Sequence, residues 1–448
     1  MMHFPISMAV PARFTGPVPE SADVVVIGAG VIGVMTGWYL AERGFRVVVC
    51  EKGRVAGEQS SRNWGWIRQQ GRDPDELPIM VESLRLWQGL AQSLGNPFGF
   101  RQTGVLYLAN REEQLGQYES WTVHAAAHGL DTRLVGRREL AERLPGAADL
   151  WQGGLFTASD ARAEPWLAVP ALAAGAAERG VTILEDCAVR ALDLEGGRVA
   201  GVTTERGRIR APEVVLAGGA WSSLFARAHG VNLPQLSVLS SVAQTEPMPE
   251  ILPGAAADDA FAFRRREDGG YTIAGGSEHD FFIGPDAFRH ALKYRKAVKK
   301  DFLSTHYRWL APRNYPDGWN TPRTWSKGAP TPFEAMRVLN PAPNLATLSR
   351  AAAAFGRAFP GVGRPKIRAT WAGMIDTMPD VVPVIDRAES VPGLTIATGM
   401  SGHGFGIGPG VGRVVADLVA GRPVGHDLTR FRLSRFTDGS EIILGPSL

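Results

Sequence analysis

The chain has 448 residues, 44% hydrophobic and 21% charged, and its 48 basic and 45 acidic side chains leave a formal net charge of +3. That length suits two domains and that balance an ordinary globular protein, with no block of like charge to form a nucleic-acid or polybasic membrane face. No run reaches the ~18 apolar residues of a transmembrane helix. The two cysteines, Cys50 and Cys187, make no disulfide framework and fit a reducing, cytoplasmic setting, and no metal is expected.

Residues 1–20 carry Pro5, Pro11, Pro17 and Pro19 without the basic start and apolar core of a signal peptide, and read as a mobile extension. An apolar strand over Asp23–Ile27 then enters Gly28-Ala29-Gly30-Val31-Ile32-Gly33. A helical pattern continues to Arg43, and a second strand, Phe45–Cys50, ends at Glu51. A G-x-G-x-x-G between strand and helix, with an acidic residue about 20 positions on, is a dinucleotide-binding fingerprint. Gly28 permits the tight turn, Gly30 lets the backbone approach a pyrophosphate, and Gly33 lets helix and strand pack closely. The phosphates then meet free N–H groups at a helix N-terminus. Glu51 accepts hydrogen bonds from ribose hydroxyls and repels a 2′-phosphate, which leaves FAD or NAD as the ligand.

The stretch 58–72, EQSSRNWGWIRQQGR, is polar, aromatic and glycine-bearing, and reads as a functional loop. Helical spacing follows over 75–95 (Leu77, Met80, Leu84, Trp87, Leu90), then a strand over Gln102–Leu108 and helical patterns over 111–129 and 136–144. Pro165–Arg179 predicts a helix and Val181–Leu184 a strand. Ala188–Glu195 and Arg198–Thr204 predict a hairpin turned by Gly196-Gly197. The strand Glu213–Ala217 runs into Gly218-Gly219-Ala220-Trp221-Ser222. Residues 236–350 mix short strands (Ser237–Thr245, Phe261–Arg265, Tyr271–Ala274) with helical and proline-rich segments. Leu394–Thr398 is a strand, Gly399–Gly412 a glycine-rich loop and Val411–Ala420 a helix. The order predicts an α/β fold. A discontinuous Rossmann-like domain would take 21–100, 158–235 and 360–435, and a second α+β domain, for substrate, 101–157 and 236–359. There is no second strand–GxGxxG–helix unit for a nicotinamide and no Cys-x-x-Cys redox pair.

Four patterns stand together: VVIGAGVIG with Glu51-Lys52; Ser60-Ser61-Arg62-Asn63-Trp64-Gly65; the strand ending in Ala217-Gly218-Gly219-Ala220-Trp221-Ser222; and Trp371-Ala372-Gly373 with Pro379-Asp380 and Gly402-His403-Gly404-Phe405-Gly406. In combination they resemble the D-amino acid oxidase family of flavoproteins, which includes glycine oxidase, sarcosine oxidase and D-amino acid dehydrogenases. The resemblance implies FAD as cofactor. Its contacts would be Gly28, Gly30, Val31, Ile32, Gly33, Glu51 and Lys52, then Ser60, Ser61, Arg62, Asn63, Trp64 and Gly65 beside the ring. Val189, Ala217, Gly218, Trp221, Gly373, Gly402, His403, Gly404, Phe405 and Gly406 complete them. N–H groups of the C-terminal glycine-rich segment would face the flavin pyrimidine carbonyl, where charge builds on reduction.

Departures from the family bear on substrate. Ile375 stands where an arginine would clamp a substrate carboxylate, and Ile273 near a lysine that promotes reaction with oxygen. Gly373 stands where sarcosine oxidase relatives carry a flavin-bonded cysteine, so the FAD is expected to be non-covalent. Arg62 is the first candidate for a replacement cation, with Arg68 and Lys327 behind it; Asp376 is a candidate for holding a cationic amine. Trp64, Trp66, Tyr271 and Trp325 are candidates for an aromatic wall and His403 for a ring contact, with ordinary packing as the competing reading of each. No acid–base residue is identified. The implied activity is oxidation of the C–N bond of an amine or amino acid, with a secondary amine or N-substituted amino acid favoured. Hydride passes to flavin N5, water hydrolyses the imine, and oxygen or a quinone-like carrier takes the electrons. The rivals are C–O oxidation of a 2-hydroxyacid and a redox-silent flavin-binding assembly protein.

Overall fold

Two valine-rich strands, Val24–Ile27 (β1) and Val47–Cys50 (β2), pair in parallel, with Val24 opposite Val47, and flank the helix Val31–Glu42 (α1). Strands this apolar suit a sheet covered on both faces. The computed structural model, which describes residues 5–445, builds that sheet from six strands. Their order is Val384–Arg387, Leu394–Thr398, Glu213–Leu216, β1, β2, Thr182–Leu184, parallel except at the Val384–Arg387 edge. α1 is buried along nearly its whole length. It lies against the helix Gly404–Val419, which starts earlier than the expected Val411 and absorbs most of the expected glycine loop. The reason is steric. A Cβ on Gly412 would stand 2.5 Å from the Met35 Cβ, and one on Gly408 2.6 Å from a Val31 methyl. These glycines let two helices meet, a packing role that their loop-forming composition concealed.

A ten-stranded, mostly antiparallel sheet forms the other part. Its longest pairing joins Leu236–Thr245 to Ile367–Thr377, with Ser240 opposite Gly373 and Val238 opposite Ile375. One edge is the short strand Thr305–Arg308.

The described part of the N-terminal extension is not loose. Ile6 is buried, the Val10 carbonyl accepts from Arg54 Nε at 2.6 Å, and Glu185 accepts from the Arg13 and Phe14 amides. Apart from the Val10 amide on the Ser7 carbonyl and the Ala9 amide on Ser7 Oγ, this proline-limited chain finds its partners in the body of the protein. Residues 1–4 lie outside the described residues.

Candidate functional site

A cavity of about 360 Å³ opens where the carboxyl ends of the parallel strands face the Leu236–Thr245 and Ile367–Thr377 pair. Ligands of open α/β sheets bind at such strand ends. Gly28, Gly30, Val31 and Ile32 line it. Gly28 has φ 104°, and a Cβ there would stand 2.6 Å from the Ala217 carbonyl oxygen. Gly33 stands behind the wall, where a Cβ would fall 1.9 Å from the Gly28 oxygen. Glu51, at the end of β2, accepts from the Ala29 amide at 2.9 Å and the Gly53 amide at 2.8 Å. Burial pushes its carboxyl above the usual range, against Lys52 and those two N–H groups. Lys52 Nζ reaches Glu58 at 2.6 Å and lies 4.4 Å from the Trp221 ring centre.

The 58–72 loop forms a second wall. Ser60 Oγ accepts from the Val31 amide at 2.9 Å, and Asn63 bonds to the Gln59 and Ser60 carbonyls and the Gly65 amide. Trp64 and Trp66 meet edge to face at 5.4 Å, and both line the cavity. Val189, Ala217, Gly218, Trp221, Gly373, Gly402, His403, Gly404 and Phe405 line it as well. Ser61, Gly65 and Gly406 do not; the Gly406 carbonyl is taken from behind by Ser83 and Trp87.

The substrate-side assignments need correction. Arg62 borders the cavity, but its guanidinium is spent on the Gly57, Ala372 and Ile6 carbonyls and Asn340 Oδ1. Burial lowers its pKa to about 10. It is a structural brace with no fork turned to a ligand. Lys327 pairs with Asp193 at 3.0 Å, outside the cavity wall. Tyr271 is fully buried elsewhere, its hydroxyl held by the Ile251 and Leu252 backbone. Trp325 donates to the Arg190 carbonyl and packs edge-on against Phe333. Asp376 is at the wall, yet its carboxylate accepts from the Gly399 amide at 2.8 Å and Thr398 Oγ1 at 3.3 Å, fixing the segment that leads to Gly402.

Other residues fill those places. Ile375 does line the cavity, and Arg68 and Arg72 line it too. Arg72 is buried; its Nε donates to the Arg68 carbonyl at 3.2 Å, and its Nη1 has no hydrogen-bond partner within the protein. Burial lowers its pKa to about 9. Arg68 donates to the Gln70 carbonyl and stands 5.4 Å from the Tyr107 ring centre. Glu76 is 1% exposed, neither carboxylate oxygen has a hydrogen-bond donor, and Oε2 is 3.5 Å from Nδ1 of His403. Burial pushes the Glu76 carboxyl up to about 7, with Arg72 and Arg68 opposing. The spacing R-x-x-x-R-x-x-x-E from Arg68 to Glu76 was visible in the chain, but only the fold turns it toward His403.

The cradle fits a flavin dinucleotide. It combines a turn with glycines at 28 and 30 before α1, an acid at the end of β2 and the N-terminus of the Gly404–Val419 helix in one cavity. Comparison with known proteins agrees. A family model described as DAO, FAD dependent oxidoreductase, matches residues 23–418. L-amino acid deaminase from Proteus myxofaciens, solved in complex with anthranilate, superposes with a TM-score of 0.90 at 32% identity over 96% of each chain. L-proline dehydrogenase from P. horikoshii superposes with a TM-score of 0.77 at 26% identity, over 94% of this chain and 100% of that one. Sarcosine oxidase subunit beta of Rhizobium meliloti (strain 1021) is 27% identical over 424 residues, 93% of this chain and 89% of the relative.

Proposed function

Because the chain belongs to the DAO family of FAD-dependent oxidoreductases, we propose that it oxidises the C–N bond of an α-amino acid. The observation that carries the reading is the buried Arg72 Nη1, at the cavity wall without an acceptor, beside Arg68. A buried donor left unpaired costs free energy that a ligand oxygen recovers. A substrate carboxylate is the group that matches a guanidinium fork. The two arginines thus take the task that Ile375 vacates. The likeness to an L-amino acid deaminase supports the L configuration.

The bound flavin supplies the acceptor for the hydride that leaves the carbon bearing nitrogen. It would be held without a covalent bond by the Gly28–Gly33 turn, Glu51 and the Gly402–Phe405 segment, with Gly373 offering no thiol. Trp64 and Trp66 exclude water and bear the substrate side chain. The amino group must be neutral before hydride leaves, and His403, backed by the Glu76 carboxylate, is placed to receive that proton at the cavity wall. Water then hydrolyses the imine to an oxo acid and ammonia, and oxygen or a quinone takes the electrons. A second reading, an N-substituted amino acid, is supported by the likeness to sarcosine oxidase subunit beta.

Anaerobic mixing tests these readings by loss of flavin absorbance. L-amino acids should bleach the protein. Bleaching by N-methylglycine alone would favour the second reading. Bleaching only by 2-hydroxyacids, or by nothing in the panel, would overturn both.

A further inference from the structure

Arg264, on the strand Ala262–Arg265, is a charged side chain with no exposed surface. Every N–H group of its guanidinium is engaged. Nη1 and Nη2 meet the two oxygens of Glu164, itself buried, at 3.0 and 2.9 Å. Nη1 also donates to the Arg265 carbonyl at 3.1 Å, Nη2 to Thr272 Oγ1 at 3.4 Å, and Nε to the Trp64 carbonyl at 2.5 Å. Glu164 carries its charge: burial opposes it, but Arg264, Arg266 and the Glu267 amide hold the carboxyl below its usual range. A buried ion pair is a poor source of stability, because apolar side chains of the same volume serve as well or better. What a planar five-donor fork supplies is direction.

The direction here is toward the cavity. Trp64, whose carbonyl receives Nε, lines the cavity and meets Trp66 edge to face. The next residue, Gly65, has φ 80°, and a Cβ there would stand 2.4 Å from the Ala163 oxygen and 2.7 Å from Arg264 Nε. The Gly65 carbonyl accepts from the Ala163 amide at 3.0 Å, one residue before Glu164. The Trp64–Gly65 corner is therefore gripped from two sides, by the strand Ala262–Arg265 and by the entry to the helix Pro165–Glu178. Neither Arg264 nor Glu164 lines the cavity.

We propose that Arg264, oriented by Glu164, is a positioning residue that sets the pose of Trp64 and through it the fit of the substrate side chain. The proposal rests on the reading of Trp64 as part of the wall that bears that side chain. Arg264→Lys is the informative change. It keeps a positive charge for Glu164, but a compact ammonium does not reproduce a fork that holds Glu164 and the Trp64 carbonyl in one plane.

The FAD-loaded protein is mixed rapidly, with air excluded, with an L-amino acid that bleaches the wild type. The concentration dependence of bleaching gives a dissociation constant and a limiting rate. Trp64→Ala should raise the dissociation constant. Arg264→Lys should raise it about tenfold, the scale of coupling between residues in contact, with FAD absorbance kept and the limiting rate changed far less. In the Trp64→Ala background the same Arg264→Lys change should have almost no further effect, because the side chain it positions is gone. Gly65→Ala disturbs the same corner without touching the ion pair. It should repeat both results, and it decides the matter where Arg264→Lys fails to fold. A lower Tm with an unchanged dissociation constant would make Arg264 a brace and nothing more, and the proposal would fall. Effects of Arg264→Lys and Trp64→Ala that multiply in the double variant would sink it too. An unchanged dissociation constant in Trp64→Ala alone would remove the role of Trp64 and the proposal with it. A wild type that no L-amino acid bleaches would instead refute the reading of the substrate itself.

Discussion

Three side chains of the 58–76 region separate what a sequence reveals from what it hides. Arg62 sits inside the loop that borders the cavity, and its position was legible; the direction of its guanidinium was not, because two of the carbonyls that hold it, those of Ile6 and Ala372, come from distant parts of the chain. Arg62→Met should therefore act on stability. Leaving buried carbonyls without donors costs about 1–3 kcal/mol each, so the urea midpoint should fall sharply while the folded fraction keeps its KM. Arg72→Gln should do the reverse: kcat/KM for the amino acid falls by about 2–5 kcal/mol of transition-state binding with FAD content unchanged. Steady-state kinetics at matched flavin occupancy distinguishes the two. Glu76 makes a pH prediction. Its folded pKa, about 7, lies above the ordinary glutamate value of 4.5. Between those values the native state keeps a proton that the unfolded chain has released, so this contribution to stability is whole below about pH 4.5 and lost as pH rises through 7. Glu76→Gln should match the wild type in unfolding free energy at about pH 3.5 and exceed it by about 3 kcal/mol at about pH 8. A constant difference across that range would show that Glu76 does not titrate as described.

At the scale of elements, the β1–α1–β2 unit was readable because its determinants lie within thirty residues of one another and act through local backbone geometry. The variant Gly30→Val should fold and lose FAD, since its branched side chain starts with a Cβ only 3.0 Å from Ser60 Oγ and blocks the approach to the turn. Retention of full flavin absorbance after gel filtration would refute this. The Gly404–Val419 helix was misread as loop because glycine is a poor helix former in isolation, and the compensation, close contact with α1, is long-range. Gly412→Val forces a side chain against Met35 and should cost about 1–3 kcal/mol by overpacking, visible as a lower Tm in the apoprotein as well as the holoprotein. Tyr271 and Trp325 failed for a related reason. An aromatic residue in a strand or an irregular segment has the same signature whether it faces a ligand or the core, and here both face neighbours within the protein.

Over the whole molecule, the cavity is assembled from segments far apart in the chain: the turn at 28–32, the loop at 50–72, the strand end at 216–221 and the stretch 373–405. The parallel sheet under it has the same history, with β1 flanked by β2 and by Glu213–Leu216, and Leu394–Thr398 beyond. The sequence order made this discontinuity legible, whereas the juxtaposition of Glu76 with His403 and the bond from Arg264 to the Trp64 carbonyl emerged only in three dimensions. The interleaving also imposes a timetable on biosynthesis. A ribosome adding about 5–20 residues per second needs roughly 20–75 s to travel from the first glycine turn to the Gly402–Phe405 segment. For about the first half of that interval β1 lacks its neighbour Glu213–Leu216, and until near the end Glu213–Leu216 lacks Leu394–Thr398, so the nascent chain offers only part of a berth. Flavin is thus a late arrival, captured by a nearly finished polypeptide, and a shortage of it in the cell would leave a chain already collapsed around an incomplete centre for chaperones to guard.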